Sequence, residues 1–372
     1  MFRALAQRTD IDFRVYFCMI PDDRQQGAEF GLAFKWDVNL REGYRSEVLR
    51  NISPRPGLMH FGGCDTPGIF DCIRADQLDA LVVNGWVVKS CLQGLRACRR
   101  LGIPCLVRGE ANTLRHRPWW KRWLHRQLVR QFAGYLYIGA SNRDFYRQHG
   151  AREDQLFPAL YCVDNAWFLA TAMATDGAEL RKRIGLADDV VCYLYCGKFI
   201  QKKRPRELLQ SFASAIASGA NAHLLMVGTG ELLSDCQKLV REQGLPVTFL
   251  GFLNQSEIVS AYTASDCLLL CSDHGETWGL VVNESMVCGR PAIVSDQSGC
   301  HLDLIARGVT GEIFAFGAWD ELTRRLVEFS RSRRQLLEMG ASARNLIERF
   351  SPQSAADGIA RAALTICGRV EV

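Results

Sequence analysis

Short aliphatic and β-branched runs alternate along the chain with amphipathic stretches of ten or more residues, the pattern that parallel βαβ units leave in a sequence. In the first half such runs predict strands at 13–18, 80–84, 104–108, 135–138 and 155–159. Helices are expected at 88–100, 119–132 and 142–149, the first closed by the breaker Gly102-Ile103-Pro104. After Asp164-Asn165-Ala166-Trp167-Phe168 a second series begins, with strands expected at 190–196, 223–227, 247–250, 266–270, 292–295 and 312–316, each followed by a helical pattern. The fold class is therefore α/β, with two Rossmann-like, doubly wound domains facing a central cleft. Open α/β sheets bind ligands beyond their strand C-terminal ends, so function is expected there. The boundaries expected are 1–168 and 169–351, with a C-terminal helix in 352–372 packing back on the first domain.

Length and composition agree with this reading. The chain has 372 residues, enough for two domains with full cores, and 48% apolar and 23% charged residues, close to globular averages. No apolar run reaches the ~18 residues of a membrane span, and the first ten residues lack the apolar core of a secretory signal, so a cytoplasmic protein is expected. Fifteen cysteines include no C-x2-C pair. Cys192, Cys196, Cys267 and Cys271 lie in or beside apolar runs and read as small buried hydrophobes. Seven histidines show no zinc-site spacing, and Asp10-Ile11-Asp12 precedes a strand and reads as a turn, so no metal site is expected. The net charge of +5 is uneven: residues 1–170 carry 24 basic and 17 acidic side chains, the rest 21 and 23. Arginines outnumber lysines 37 to 8, yet Lys198, Lys202 and Lys203 fall within six residues.

That cluster follows the strand at 190–196, in Gly197-Lys198-Phe199-Ile200-Gln201-Lys202-Lys203-Arg204-Pro205, where a glycine turn brings backbone close to cations suited to a diphosphate. A solvated basic turn is the plainer alternative. The strongest local pattern is Gly275-Glu276-Thr277-Trp278-Gly279-Leu280-Val281-Val282-Asn283-Glu284, read as a loop running into a helix. The amides at Gly279, Leu280 and Val281 would open that helix and can hold a phosphate. Glu276 in the loop and Glu284 inside the helix can bracket one extended ligand. Gly228-Thr229-Gly230 forms a further glycine turn.

Taken in order, these motifs resemble the retaining glycosyltransferases of family 4, which have the two-domain GT-B fold. The family's E-x7-E pair resembles Glu276 and Glu284, and its G-R-x4-K-G turn resembles Gly197, Lys198 and Lys203, with Lys in place of Arg and Arg204 in place of Gly. Gly228, Gly230, Gly251, Phe252, the run 276–311 and the junction Cys162-Val163-Asp164-Asn165 complete the likeness, close in the second half and looser in the first. The resemblance implies a retaining transferase moving a hexose-type sugar from a nucleoside-diphosphate sugar to a saccharide or lipid-linked acceptor, in polysaccharide or glycoconjugate assembly. Catalytic roles fall to Glu276, Lys198 and Lys203. Glu276 would contact the donor sugar, the two lysines the diphosphate, and Glu284 the ribose. Gly197, Gly228, Gly230, Gly251, Phe252, Gly279, Leu280 and Val281 would shape the donor site. The nucleotide sugar is the substrate, and neither a cofactor nor a metal is implied. Two alternatives share the donor site: a nucleotide-sugar epimerase of the same fold, and a degenerate protein that binds nucleotide sugars without catalysis.

The first half departs from the family pattern. Relatives begin with a strand and a Gly-rich loop, whereas this sequence is expected to begin inside the following helix, at Phe2-Arg3-Ala4-Leu5-Ala6. In place of a cleft-side His the loop after the strand at 104–108 reads Arg108-Gly109-Glu110-Ala111-Asn112. Arg108, Glu110 and Asn112, with His60 of another Gly-rich loop, are the candidate acceptor contacts, and a structural ion pair between Arg108 and Glu110 is the alternative. Residues 96–130 hold ten basic side chains and one acid, and 115–126 mixes them with Trp119, Trp120 and Trp123. Such a helix can lie on an anionic membrane at the inner face. The alternative packs the tryptophans inward. No nucleic-acid partner is expected.

Overall fold

The computed structural model describes residues 1–27 and 30–369, which form two units. Residues 26–38 and 162–351 make the second unit, and 1–25, 39–161 and 352–372 the first.

The first unit contains β1 (Val15–Phe17), β2 (Ser46–Val48), β3 (Leu81–Val83), β4 (Cys105–Val107), β5 (Gly134–Tyr137) and β6 (Leu156–Pro158). Its five expected strands are all present and slightly shorter, and β2 is an addition that a polar Ser-Glu-Val run did not announce. All pairings are parallel, in two separate sheets, β1-β2 and β3-β4-β5-β6. The four-stranded sheet keeps sequence order, so it does not reverse as a doubly wound sheet does. Its faces bury Leu95, Cys98, Val107, Phe132, Tyr135, Phe145 and Tyr146 on one side. On the other they bury Leu5, Leu106, Leu136, Phe157 and Ile359, the last from helix Pro352–Ile366. Gly358 of that helix lies so close to the Pro158 carbonyl that a Cβ would overlap it. The final three residues of the expected 352–372 segment lie outside the described residues.

Between the two sheets lies a cavity of about 500 Å³, lined by Arg14, Tyr16 and Cys18 of β1 and its flanks and by Ala80, Val82 and Asn84 of β3 and its flanks. The Leu81 amide and the Val83 carbonyl bond into β4. Alternation in a parallel ladder then turns the backbone groups of Val82 toward the cavity.

In the second unit β7 (Val191–Cys196), β8 (Ala222–Val227), β9 (Val247–Gly251), β10 (Cys267–Leu270), β11 (Ala292–Ser295) and β12 (Gly311–Phe314) form one parallel sheet in the order β12-β11-β10-β7-β8-β9. Buried on both faces, β7 and β10 read as continuous apolar runs for that reason. Tyr193, Phe199, Phe212, Phe314, Leu326 and Phe329 dominate the core. Asp266, at the foot of β10, is buried and takes up Arg181 at 3.3 Å, Arg333 at 2.7 Å and the Cys192 amide at 2.8 Å. The expected boundary at 168 falls inside helix Asn165–Ala174, which belongs wholly to this unit. Asp164 caps that helix through the Trp167 amide, and the Asn165 side chain binds the carbonyls of Ile347 and Phe350.

Candidate functional site

Strand order fixes where a site can form in the second unit. From β7 the chain winds outward to β8 and β9, then returns to β10 on the other side of β7. The loops leaving β7 and β10 therefore diverge from adjacent strands at the point where the order reverses, the usual ligand position in such sheets. These loops carry the two strongest sequence motifs, 197–205 and 275–284.

Backbone bonds hold the three loops together. Gly197 donates to the Val227 carbonyl at 3.0 Å, Phe199 to Thr229 at 2.9 Å and Gly228 to Gly251 at 2.7 Å. Gly228 has φ +122°, and a Cβ there would stand 2.0 Å from the Gly197 carbonyl oxygen, so only glycine lets these turns meet. A Cβ at Gly230 would stand 2.7 Å from the Phe199 carbonyl oxygen. Arg204 is one of two non-glycine residues with positive φ among the described residues, at +55°. It stands where the family pattern has glycine. The guanidinium pairs with Glu207 at 3.0 Å and Asp273 at 3.2 Å, which ties the β7 loop to the β10 loop.

Lys203 and Glu276 meet directly in a part-buried ion pair, and the Ser272 hydroxyl adds a 3.2 Å bond to the same carboxylate. Burial favours the neutral acid, but the Lys203 charge and hydrogen bond outweigh it, and Glu276 titrates below its ordinary value. Eight residues on, Glu284 lies inside helix Leu280–Val287; among the described residues no cation pairs with it, and its hydrogen-bond donor is the Tyr262 hydroxyl at 2.6 Å. Burial pushes this carboxyl up to about 7. Two acids in one motif thus have opposite electrostatics, and only Glu276 is held as a permanent anion.

Gly279 caps that helix at φ +108°, and its Cβ would collide with Leu270 at 2.6 Å. The first intrahelical bond runs from Val282 to the Gly279 carbonyl, so the amides of Leu280 and Val281 precede the ladder. Trp278 is buried with its indole N–H on Asn283 at 2.8 Å, which fixes the approach to the helix. Among the described residues no three metal-ligating side chains gather to hold an ion.

Lys198 and Phe252 pack against a segment from the first half of the sequence. Residues 30–37, from the first half of the sequence, pack on this unit, with Phe30 and Phe34 at 5.3 and 4.5 Å from the Phe252 ring. The Lys198 ammonium lies over Phe30 at 4.9 Å. Asn254 donates to the Lys35 carbonyl at 2.8 Å, and the Ser256 amide to Asp37 at 3.0 Å. Sequence reasoning missed this segment, although Phe30-x3-Phe34-x-Trp36 was a visible aromatic signal.

In the first unit the acceptor candidates divide. The Arg108 guanidinium lies over the Tyr161 ring at 4.8 Å and reaches the Ala159 carbonyl at 3.3 Å, while the Tyr161 hydroxyl donates to Glu110. Both meet at Tyr161, which the sequence reading had not singled out. Asn112 is buried and its carbonyl accepts from Arg117 at 2.6 Å. His60 binds the Arg55 carbonyl at 2.9 Å, inside its own loop. In helix Trp119–Val129, Trp119, Trp120 and Trp123 are exposed, which overturns the reading with inward-packed tryptophans.

Known proteins agree with this architecture. An Anabaena protein, HepE, solved in complex with UDP, matches with a TM-score of 0.67 at 18% identity over 86% of each chain. A glycosyltransferase from Rickettsia africae matches with a TM-score of 0.70 at 14% identity, over 89% of this chain and 87% of that one. The fold is GT-B. Within this GT-B chain, residues 176–346 match the family model of Glycosyl transferases group 1. A GDP-mannose-dependent alpha-(1-6)-phosphatidylinositol dimannoside mannosyltransferase of Mycobacterium tuberculosis is 31% identical over 108 residues, 29% of this chain and 28% of its own length. The N-acetyl-alpha-D-glucosaminyl L-malate synthase of Bacillus anthracis is 28% identical over 174 residues, 46% of this chain and 44% of its own. The matches thus span less than half the length of these two curated relatives.

Proposed function

We propose that the chain is a retaining glycosyltransferase that moves a hexose-type sugar from a nucleoside-diphosphate sugar to a hydroxyl of a saccharide or lipid-linked acceptor. The observation that carries this reading is the meeting of Lys203, Glu276 and the start of helix Leu280–Val287 at the reversal point of the sheet. A diphosphate there takes Lys203 as counter-ion, with Lys198 and the amides of Leu280 and Val281 as further donors. These groups stabilise the negative charge that develops on the leaving phosphate. Glu276, released from Lys203, accepts from the donor sugar, and Glu284 accepts from the ribose. The acceptor hydroxyl attacks the face that the diphosphate leaves, and the departing phosphate oxygen takes its proton. Lysines and helix amides supply the neutralising charge, so the reading calls for no metal. Arg108 and Glu110, gathered at Tyr161, are the acceptor contacts proposed in the first unit.

Thermal unfolding with UDP, GDP or ADP tests the donor site, because a ligand that binds only the folded state raises the midpoint. One base should raise it in the parent chain and fail to in Lys203→Ala. Incubation of the matching nucleotide sugars with saccharide and lipid-linked acceptors then separates transfer from isomerised donor. No midpoint shift with any base, offered as the bare diphosphate or as its sugar conjugate, in a folded chain, overturns the donor site.

A further inference from the structure

Helix Trp119–Val129 is attached to the first unit by one narrow face. Val129 is fully buried, Leu128 is partly buried in the same core, and His125 packs its ring 5.6 Å from Phe145 and 5.9 Å from Trp86. At 100° per residue the opposite face carries Trp119, Trp120, Trp123 and Leu124. Those side chains are 79, 49, 60 and 52% exposed. Four large apolar side chains side by side in water are unusual for a surface helix, since such positions otherwise carry polar groups. The stripe is edged by cations: Arg122 and Arg126 on one side, and Lys121 on the other, with Arg115 just ahead of the helix. None of these four is paired with a carboxylate among the described residues. From Ala111 to Arg143 the sequence contains no acid at all.

We propose that this helix lies on an anionic lipid bilayer, with Trp119, Trp120, Trp123 and Leu124 inserted at the headgroup boundary and Arg115, Lys121, Arg122 and Arg126 on lipid phosphates. The two parts of the surface select the occupant together. Tryptophan prefers the interface, where the ring is buried and the indole N–H stays wet. A ring of unpaired cations is matched by a negative surface and opposed by a neutral one, and no acid on the stripe provides self-complementarity for a second copy. No helix among the described residues is long and apolar enough to cross a membrane, so this attachment is peripheral. The proposal is independent of the glycosyltransferase reading and stands or falls without it.

Co-sedimentation with vesicles of phosphatidylcholine alone, or with about one third phosphatidylglycerol, tests it directly. The chain should sediment with the anionic vesicles, with its tryptophan emission shifted to the blue, and stay largely in solution with the neutral ones. Each cation at the surface is worth roughly fivefold in partitioning, so Arg122→Gln/Arg126→Gln should weaken anionic binding by about 25-fold and leave the weak neutral binding unchanged. Trp119→Ser/Trp123→Ser should lose binding and the blue shift while melting at the parent temperature, because both side chains are exposed. Equal sedimentation of parent and tryptophan variant, or no binding of the parent to anionic vesicles, overturns the proposal. A parent that is dimeric by sedimentation velocity, a monomeric tryptophan variant and no vesicle binding would assign the stripe to a second copy instead.

Discussion

Glu284 offers the sharpest test, because its expected role in binding and its effect on stability have opposite signs. The carboxyl titrates at about 7 in the folded chain against an ordinary 4.5, with burial as the cause. Between those values the folded state holds a proton that the unfolded state has released. Stability therefore falls as pH rises from about 4.5 to about 7, and the whole penalty is present above that. Displacement from 4.5 to about 7, at about 1.4 kcal/mol per pH unit, corresponds to about 3.4 kcal/mol. Solvent reaches part of the side chain, and screening reduces this to about 2 kcal/mol.

Glu284→Gln removes the charge and keeps the shape, and its amide oxygen still accepts from the Tyr262 hydroxyl. At pH 8 the variant should be more stable by about 2 kcal/mol, or roughly 4–8 °C for a unit of this size. At pH 5 the difference should shrink to about 0.5 kcal/mol. The same substitution should weaken nucleoside-diphosphate binding at pH 8, since a carboxylate is the stronger acceptor for a ribose hydroxyl. Denaturant titrations at the two pH values, with and without nucleotide, read both effects. A variant that is equal or less stable at pH 8, or a gap that does not close toward pH 5, would refute the reasoning from burial.

Three further outcomes follow from neighbouring contacts. Glu276→Gln should bind free nucleoside diphosphate several-fold more tightly by calorimetry while lowering sugar transfer at least tenfold; weaker diphosphate binding would contradict the Lys203 pairing. Arg204→Ala keeps the left-handed backbone and loses two ion pairs, whereas Arg204→Gly loses the pairs but relieves about 1 kcal/mol of strain. Urea midpoints should therefore rank the glycine variant about 1 kcal/mol above the alanine variant, and the reverse order would deny the strain. Burial, with like charge from Arg117, lowers His125 to about 4, so its contribution to stability is present above pH 6.5 and lost as pH falls toward 4. His125→Phe should reduce the loss of stability between pH 7 and 4.5 by about 1–2 kcal/mol after allowance for solvent screening, and an unchanged acid limb would exclude this histidine.

Much of the second unit was legible because its strands are short and, β9 apart, mostly buried, so they read as apolar runs. Six expected runs became six strands within a residue or two at most ends. The turns after β8 and β10 were readable because a positive φ and close approach at Gly228 and Gly279 call for glycine. Less of the first unit was readable. β2 is half-exposed and polar, so it lacks the periodic signal, and no local pattern says that β1 and β3 face one cavity rather than each other. Residues 30–37 escaped for another reason: they cross to the other unit, and such a contact depends on chain path rather than on periodicity. Composition likewise could not choose between inward and outward tryptophans in helix Trp119–Val129. That choice is made by His125, Leu128 and Val129, which supply enough buried surface to leave the tryptophans free.

The pairing of Lys203 with Glu276 has a consequence for affinity that motif reading does not reach. Lys203 is not a waiting cation, since its charge is already met by a part-buried carboxylate. A diphosphate that binds there exchanges one ion pair for another, so the favourable Coulomb energy of the new pair is offset by loss of the old one. At the proposed donor site, binding of the bare diphosphate is therefore expected to be weak for the number of cations present. The carboxylate displaced from Lys203 is buried and must find new donors. On the proposed reading, an intact nucleotide sugar supplies those donors from the hydroxyls of the sugar, beside the diphosphate, and the bare diphosphate does not. Such an exchange makes the sugar, and not the phosphate charge alone, complete the site. It also explains why neutralising Glu276 should tighten the product-like diphosphate while slowing transfer: the acid opposes one ligand and is satisfied by the other.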